Sequence, residues 1–278
     1  MNSYIHQISK YISNQKTKSF AMIGGVGAFL GSLVGQIGGN TGFFRIIFWD
    51  ACIGLAIGAV LSLMQSLYLR RTEIGKQEIF RMSKRCAFGG AAGGLGLLIF
   101  KSAIGMEMIG HVVGWTVEGL IMGWLLAPVF LNLKIKSAII AGAIAGATGA
   151  LLGSIVFGPI LGAVVGTAFA DALKGVFLGL ALTVTEKIQI SSTPSLLIHW
   201  GENETSTLLL GPEPVKLGSG SNCQIYLRDG DKPAPLLVGE ISLNNGIITL
   251  EDMRNGKKMT LSPGNQVEIY NVIFEIKA

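Results

Sequence analysis

Three carboxylates, Asp50, Glu118 and Asp171, stand inside long apolar runs of this 278-residue chain. An ionisable side chain in hydrocarbon is costly, and it is retained where it pairs with another polar group or serves an ion or proton path. Lys174 follows Asp171 by three residues, a spacing that puts both on one helix face, and Arg45 precedes Asp50 by five. Glu118 has no basic residue at helical spacing; His111, seven residues earlier, is two turns away on the same face. Asp50 and Asp171 are expected at equal depth near one end of their helices, paired or solvated. Glu118 is expected deeper, suited equally to a structural hydrogen bond and to a conducting path.

Other chemistry finds little support. The three histidines, His6, His111 and His199, lack a matching nucleophile or ligand set, and no HExxH, GxSxG, GxxxxGK[ST] or kinase signature occurs. Cys52, Cys86 and Cys223 form no CxxC pair and read as packing thiols. No catalytic residue, metal site or cofactor is expected. Trp49, Trp115 and Trp124 read as interface anchors or packing residues.

The elements that must hold these carboxylates are membrane helices. Half of the residues are hydrophobic and only 14% are charged, against about a quarter in soluble domains. Charge is split: 15 basic and 7 acidic residues precede Thr193, and 7 basic and 10 acidic residues follow from there. The pI near 9.1 therefore reflects short basic loops between apolar runs, and nucleic acid is not an expected partner. About six spans are predicted: 19–35, 43–69, 86–104, 108–130, 137–157 and 160–184, the third being the weakest. Each is long enough for a core about 30 Å thick. Residues 38–42 and Gly158-Pro159 read as turns, and 72–85 as a short interfacial helix. The spans form three hairpin repeats. Odd helices open alike at Lys18-Ser19-Phe20, Arg85-Cys86-Ala87 and Lys136-Ser137-Ala138, and even helices share Gly-[Leu/Val]-x-x-Gly at Gly54/Gly58, Gly119/Gly123 and Gly175/Gly179. Basic residues crowd one side, from Lys10, Lys16 and Lys18 through Arg70, Arg71, Lys76, Arg81, Lys84 and Arg85 to Lys134, Lys136 and Lys187. By the positive-inside rule both termini are cytoplasmic, as in a bacterial inner-membrane protein.

Thirty of the 39 glycines lie between residues 19 and 185. Spacings of four line them along helix faces: Gly27/Gly31/Gly35, Gly90/Gly94, Gly142/Gly146, Gly149/Gly153 and Gly158/Gly162/Gly166. Such faces let backbones approach closely in lipid, within one chain or between copies of a homo-oligomer. A glycine-lined pore is the alternative.

From residue 195 short β-type runs alternate with turns, about nine strands in all, with a hairpin at Asn244-Asn245-Gly246. The expected layout is thus a cytoplasmic segment 1–18, a transmembrane domain 19–186, a linker 187–194 and a cytoplasmic all-β sandwich 195–278. The run from Val215 through Gly218-Ser219-Gly220-Ser221-Asn222-Cys223 to Leu227, and the tail Leu261-Ser262-Pro263-Gly264-Asn265-Gln266-Val267-Glu268-Ile269, resemble the opening and closing strands of a forkhead-associated (FHA) domain. The resemblance implies a β-sandwich that binds phosphothreonine peptides through loops at one end. The family's phosphate-binding arginine would fall at Ser219, Ser221 fits its phosphate-contacting serine, and its Ser-x-x-His is replaced by Arg228-Asp229-Gly230-Asp231-Lys232. Without that arginine a dianionic phosphate loses its strongest donor. Ser219, Ser221, Asn222, Arg228 and Lys232 are therefore candidates for contact with a cytoplasmic protein, independent of phosphothreonine. The expected function is a membrane-anchored scaffold without enzymatic activity; the alternative is a channel or transporter using the three carboxylates, with the β domain regulatory.

Overall fold

The computed structural model describes residues 15–37, 43–69, 75–104, 107–153, 163–201, 204–211, 213–220, 222–229 and 232–277. Six long helices come first: α1 (Lys16–Ile37), α2 (Phe43–Tyr68), α3 (Gly75–Ile104), α4 (Glu107–Leu126), α5 (Ile135–Leu152) and α6 (Ala163–Ser191). Five stretches are long and apolar enough to cross a membrane: Lys16–Ile37, Phe44–Tyr68, Ile109–Val129, Ile135–Leu152 and Val165–Ser191. The third expected span lies within α3. That helix absorbs the separate interfacial helix expected over 72–85, because no proline interrupts 75–104 and its charged first turns continue directly into apolar ones. Pro128 ends α4 in a 3-10 turn, Ala127–Val129. Helix α6 runs on through Ser191, past the point where the sequence suggests a linker. The turns expected at 38–42 and at Gly158-Pro159, with Gly158 and Gly162, lie outside the described residues.

Residues 15–65 and 75–187 form one compact unit. Its patterning is inverted relative to a protein folded in water. The buried face of α1 is Phe20, Gly24, Gly27, Ala28, Gly31, Ser32 and Gly35, while Met22, Val26, Leu30, Val34 and Ile37 are exposed. Ile140 and Ile144 of α5 point outward in the same way over buried Ala138, Gly142 and Gly146. Small residues inside and large apolar ones outside is the arrangement that lipid permits and water penalises.

The glycines set the helix pairing. A methyl on Gly54 or Gly90 would run into the carbonyl of Cys86 or Asp50, which joins α2 to α3. Gly119 and Gly142 block each other across α4 and α5, with Gly123 against the Ala138 carbonyl and Gly146 against that of Trp115. Gly175 and Gly24 do the same across α6 and α1, and Gly179 meets the Phe20 carbonyl. Gly58 abuts Cys86, Gly94 abuts Ile47, Gly31 abuts Ile53 and Gly35 abuts Trp49. Gly27 lies against Val60, Gly149 against Lys174 and Gly153 against Ala170. Each even helix thus carries its glycine pair onto an odd helix, and the last even helix closes back onto the first odd one. These faces are filled by the chain's own helices. The contacts also correct the expected alignment of the odd helices. Gly58 approaches the Met82 carbonyl as Gly123 approaches Ala138 and Gly179 approaches Phe20. Met82, and not Ala87, is therefore the counterpart of Ala138 and Phe20.

The second unit comprises residues 188 onward together with the end of α2 from Ser66. Its strands are β1 (Ser195–Gly201), β2 (Glu204–Leu209), β3 (Val215–Gly218), β4 (Ile225–Tyr226), β5 (Arg228–Asp229), β6 (Lys232–Pro233), β7 (Gly239–Asn244), β8 (Ile247–Asp252), β9 (Lys257–Leu261), β10 (Gln266–Ile269) and β11 (Val272–Lys277). They form a four-stranded sheet in the order β10-β11-β1-β2, a five-stranded sheet in the order β4-β3-β7-β8-β9, and the small β5-β6 hairpin. Alternation in the strands buries Leu196, Ile198, Leu208, Phe274 and Ile276 in the first sheet, and Val215, Leu217, Ile241, Ile248 and Leu250 in the second. The β7-β8 turn falls at Asn245 and Gly246, with φ of 51° and 80°, as a type I′ hairpin requires. Ser206 Oγ donates to the Tyr68 carbonyl, and the Thr207 N–H donates to the Tyr68 hydroxyl, both at 3.2 Å.

Candidate functional site

The repeated glycines of the even helices fix a register, and the residue just before each first glycine is Ile53, Glu118 or Lys174. All three are buried. Lys174 Nζ donates to Glu118 Oε2 at 2.8 Å and lies 3.7 Å from Asp171 Oδ1 and 4.0 Å from Asp50 Oδ1. It also sits 4.7 Å from the centre of the Trp115 ring. One ammonium therefore gathers all three carboxylates that the sequence marks out. Glycines of α3 make the room: a methyl on Gly93 would strike the Glu118 stem, and one on Gly94 would lie 2.8 Å from Asp50 Oδ2. Ser32 accepts the indole N–H of Trp49 at 3.0 Å. Asp171 Oδ2 is buried and makes no hydrogen bond among the described residues.

One helical turn further along the even helices stand Ile57, Met122 and Leu178, and a turn beyond them Leu61, Leu126 and Leu182, all buried. The cavity bordered by Glu118, Lys174, Ile57, Met122 and Leu178 holds about 10 Å³, room for about one water. After these two apolar layers polarity returns. Glu186 Oε1 accepts from Asn132 Nδ2 at 2.8 Å, and Glu186 Oε2 lies 2.7 Å from Lys16 Nζ. From Lys174 to Glu186 is 12 residues, or about 18 Å along the helix.

The sequence marked Asp50, Glu118 and Asp171 and set Lys174 beside Asp171, a pair found at 3.7 Å, but did not show that the same lysine also reaches Glu118 and Asp50. Glu118 lacks a partner on its own helix and finds one on α6, 56 residues away. Arg45, the expected neighbour of Asp50, forms no ion pair among the described residues, and its Nε is buried without a hydrogen bond. A signal for its contact with Glu118 was present, since Lys174 occupies the same position before its glycine as Glu118. The second polar layer was missed altogether. Among the described residues no three His, Cys, Asp or Glu side chains stand together as metal ligands.

In the second unit the loop candidates converge on the end of β3. The Ser219 hydroxyl donates to the Ala234 carbonyl at 2.5 Å, its N–H to Pro235 at 3.0 Å, and the Gly220 N–H to Leu236 at 2.9 Å. Gly218, at φ 155°, and Gly220 leave no room for a side chain beside the Leu236 carbonyl. The β5-β6 hairpin pairs Arg228 with Pro233 and Asp229 with Lys232, a segment that reads as loop in the sequence. Its base is tied to β3 by Leu227 N–H to the Gly218 carbonyl. Asn222, Arg228, Lys232 and Leu236 are exposed around this corner. Ser221 lies outside the described residues.

Across the β8-β9 turn, Asp252 accepts from Arg254 Nε at 2.9 Å and Nη2 at 2.8 Å, and from the Arg254 N–H at 3.0 Å. These bonds hold the Asp252 carboxyl below its ordinary range. The chain matches no protein-family model, no curated protein and no solved structure, so its functional reading rests on the arrangement of its own residues.

Proposed function

We propose that this chain is a membrane-anchored scaffold. A bundle of about six glycine-packed helices holds it in the bilayer with both termini cytoplasmic. A C-terminal β-sandwich, FHA-like in its strand pattern, docks a cytoplasmic protein without depending on phosphothreonine. The observation that carries this reading is the Ser219 hydroxyl, which is spent on the Ala234 carbonyl at the point where the FHA pattern places its phosphate-binding arginine. The exposed corner around it offers Arg228, Lys232, Asn222 and Leu236, a mixed polar and apolar surface suited to protein contact. The test is capture of lysate proteins by the detergent-solubilised full chain, with and without prior phosphatase treatment of the lysate. The same proteins are expected in both, and their loss from Arg228→Glu/Leu236→Asp. Loss of the wild-type captures after phosphatase would overturn the reading.

The channel or transporter reading draws on the buried carboxylates around Lys174. The two apolar layers beneath them weigh against it, because a conducted ion would have to shed its water through about two helical turns of aliphatic side chains. In proteoliposomes a conduit would show cation or proton flux that Glu118→Gln abolishes; the scaffold reading expects no flux from either protein.

A further inference from the structure

Helix α3 is 30 residues long, or about 45 Å. A hydrocarbon core of about 30 Å leaves some ten residues of it in the headgroup zone, and its composition says which end. Residues 76–85 hold Lys76, Glu78, Arg81, Lys84 and Arg85. Met82, Ser83 and Cys86 turn inward, while Phe80, Arg81, Lys84, Arg85 and Phe88 are exposed. Phe80 and Phe88 are 63% and 78% exposed, and Lys84 Nζ lies 4.2 Å from the Phe80 ring centre. The same outward stripe continues down the helix as Leu95 and Ile99, both exposed. Three cations with two aromatic rings thus sit directly above an apolar strip suited to acyl chains. At the start of α5 the exposed residues are Lys134, Ile135 and Lys136, two cations with no ring on that turn.

We infer that this face of α3 is a binding site for an anionic phospholipid, whose phosphate lies between Arg81, Lys84 and Arg85 and whose chains run along Phe88, Leu95 and Ile99. Charge complementarity and the unbroken apolar strip below favour a lipid over a soluble acidic partner. The inference rests on the membrane-spanning reading and is independent of what the β domain binds.

The experiment uses the full chain in zwitterionic micelles, titrated with phosphatidylglycerol, phosphatidylcholine, inorganic phosphate or poly-glutamate, with bound species counted by native mass spectrometry. Phosphatidylglycerol is expected to bind more tightly than phosphatidylcholine. Arg81→Gln/Lys84→Gln/Arg85→Gln should weaken it about a hundredfold, given a several-fold contribution from each basic residue near an anionic lipid. Arg81→Lys/Arg85→Lys and Lys134→Gln/Lys136→Gln should leave it in place. Equal binding of both lipids, or a triple variant that binds as well as the parent, overturns the site. Inorganic phosphate matching the lipid would make it a free-anion site, and poly-glutamate displacing the lipid would make it a protein-docking face; either overturns the proposal. A chain that stays monomeric in buffer without detergent would instead remove the spanning reading itself.

Discussion

The helical unit holds two polar layers, and they are built differently. Around Lys174 one ammonium faces three carboxylates, with every side chain less than a tenth exposed. Around Glu186 one carboxylate meets one ammonium and one amide, and Lys16 is 15% exposed. The second layer sets one carboxyl against one lysine; the first sets three acidic side chains against a single lysine around a cavity with room for about one water. Two layers of Ile, Met and Leu separate them. The contrast teaches that one buried lysine can serve several acidic side chains from different helices, where the other layer pairs one with one. It also makes Lys174 the residue on which the packing of α2, α4 and α6 converges.

Removing that cation is the sharpest way to break the comparison. Lys174→Met leaves three carboxylates buried together and is expected to cost about 3–5 kcal/mol. The readout is the temperature at which buried Cys86 becomes reactive to a thiol dye in detergent micelles. Gly146→Ala should cost less, about 1–3 kcal/mol by the same measurement, because its methyl meets the Trp115 carbonyl beside the charged layer. Gly201→Ala, with open space around its Cβ position, is the matching control and should change nothing. In the second layer Glu186→Gln should cost only about 1–2 kcal/mol, since Asn132 keeps an acceptor and a single carboxyl is involved. A Glu186 variant as damaging as the Lys174 one would erase the distinction between the layers.

The smallest effect lies in the β domain and supplies the solvent-exposed contrast. Asp252 titrates below its ordinary range when folded, so its contribution is complete above about pH 4 and is lost as pH falls through the lowered folded value. Arg254 is 42% exposed, so solvent screening holds Asp252→Asn to about 1 kcal/mol. Amide exchange across 252–257 in the full chain should rise in this variant at pH 7, and the difference from the parent should shrink in acid.

Legibility in the sequence follows the range of each interaction. The even helices could be aligned because their Gly-x-x-x-Gly pairs lie on one face of a single helix. The odd helices could not: their basic openings suggest Arg85-Cys86 as the counterpart of Lys136-Ser137, while the backbone contacts select Met82 for Ala138. That register is decided by which carbonyl a glycine can approach on another helix, and a charge at the water boundary does not report it. The Lys174–Glu118 pair spans 56 residues and Tyr68 to Ser206 spans 138, beyond any local pattern. The β strands were legible from alternation, and the Asn245-Gly246 turn from its chemistry. The β5-β6 hairpin was not, because Arg228-Asp229 and Lys232-Pro233 are exposed on both sides and show no apolar period.

The most direct test is a double-mutant cycle between Glu118→Gln and Lys174→Met in the full chain, read by thermal unmasking of Cys86. Two buried side chains 2.8 Å apart should couple by about 2 kcal/mol or more, the double variant losing far less than the sum of the singles. Losses that add to within about 0.5 kcal/mol would mean that α4 and α6 do not meet at these residues.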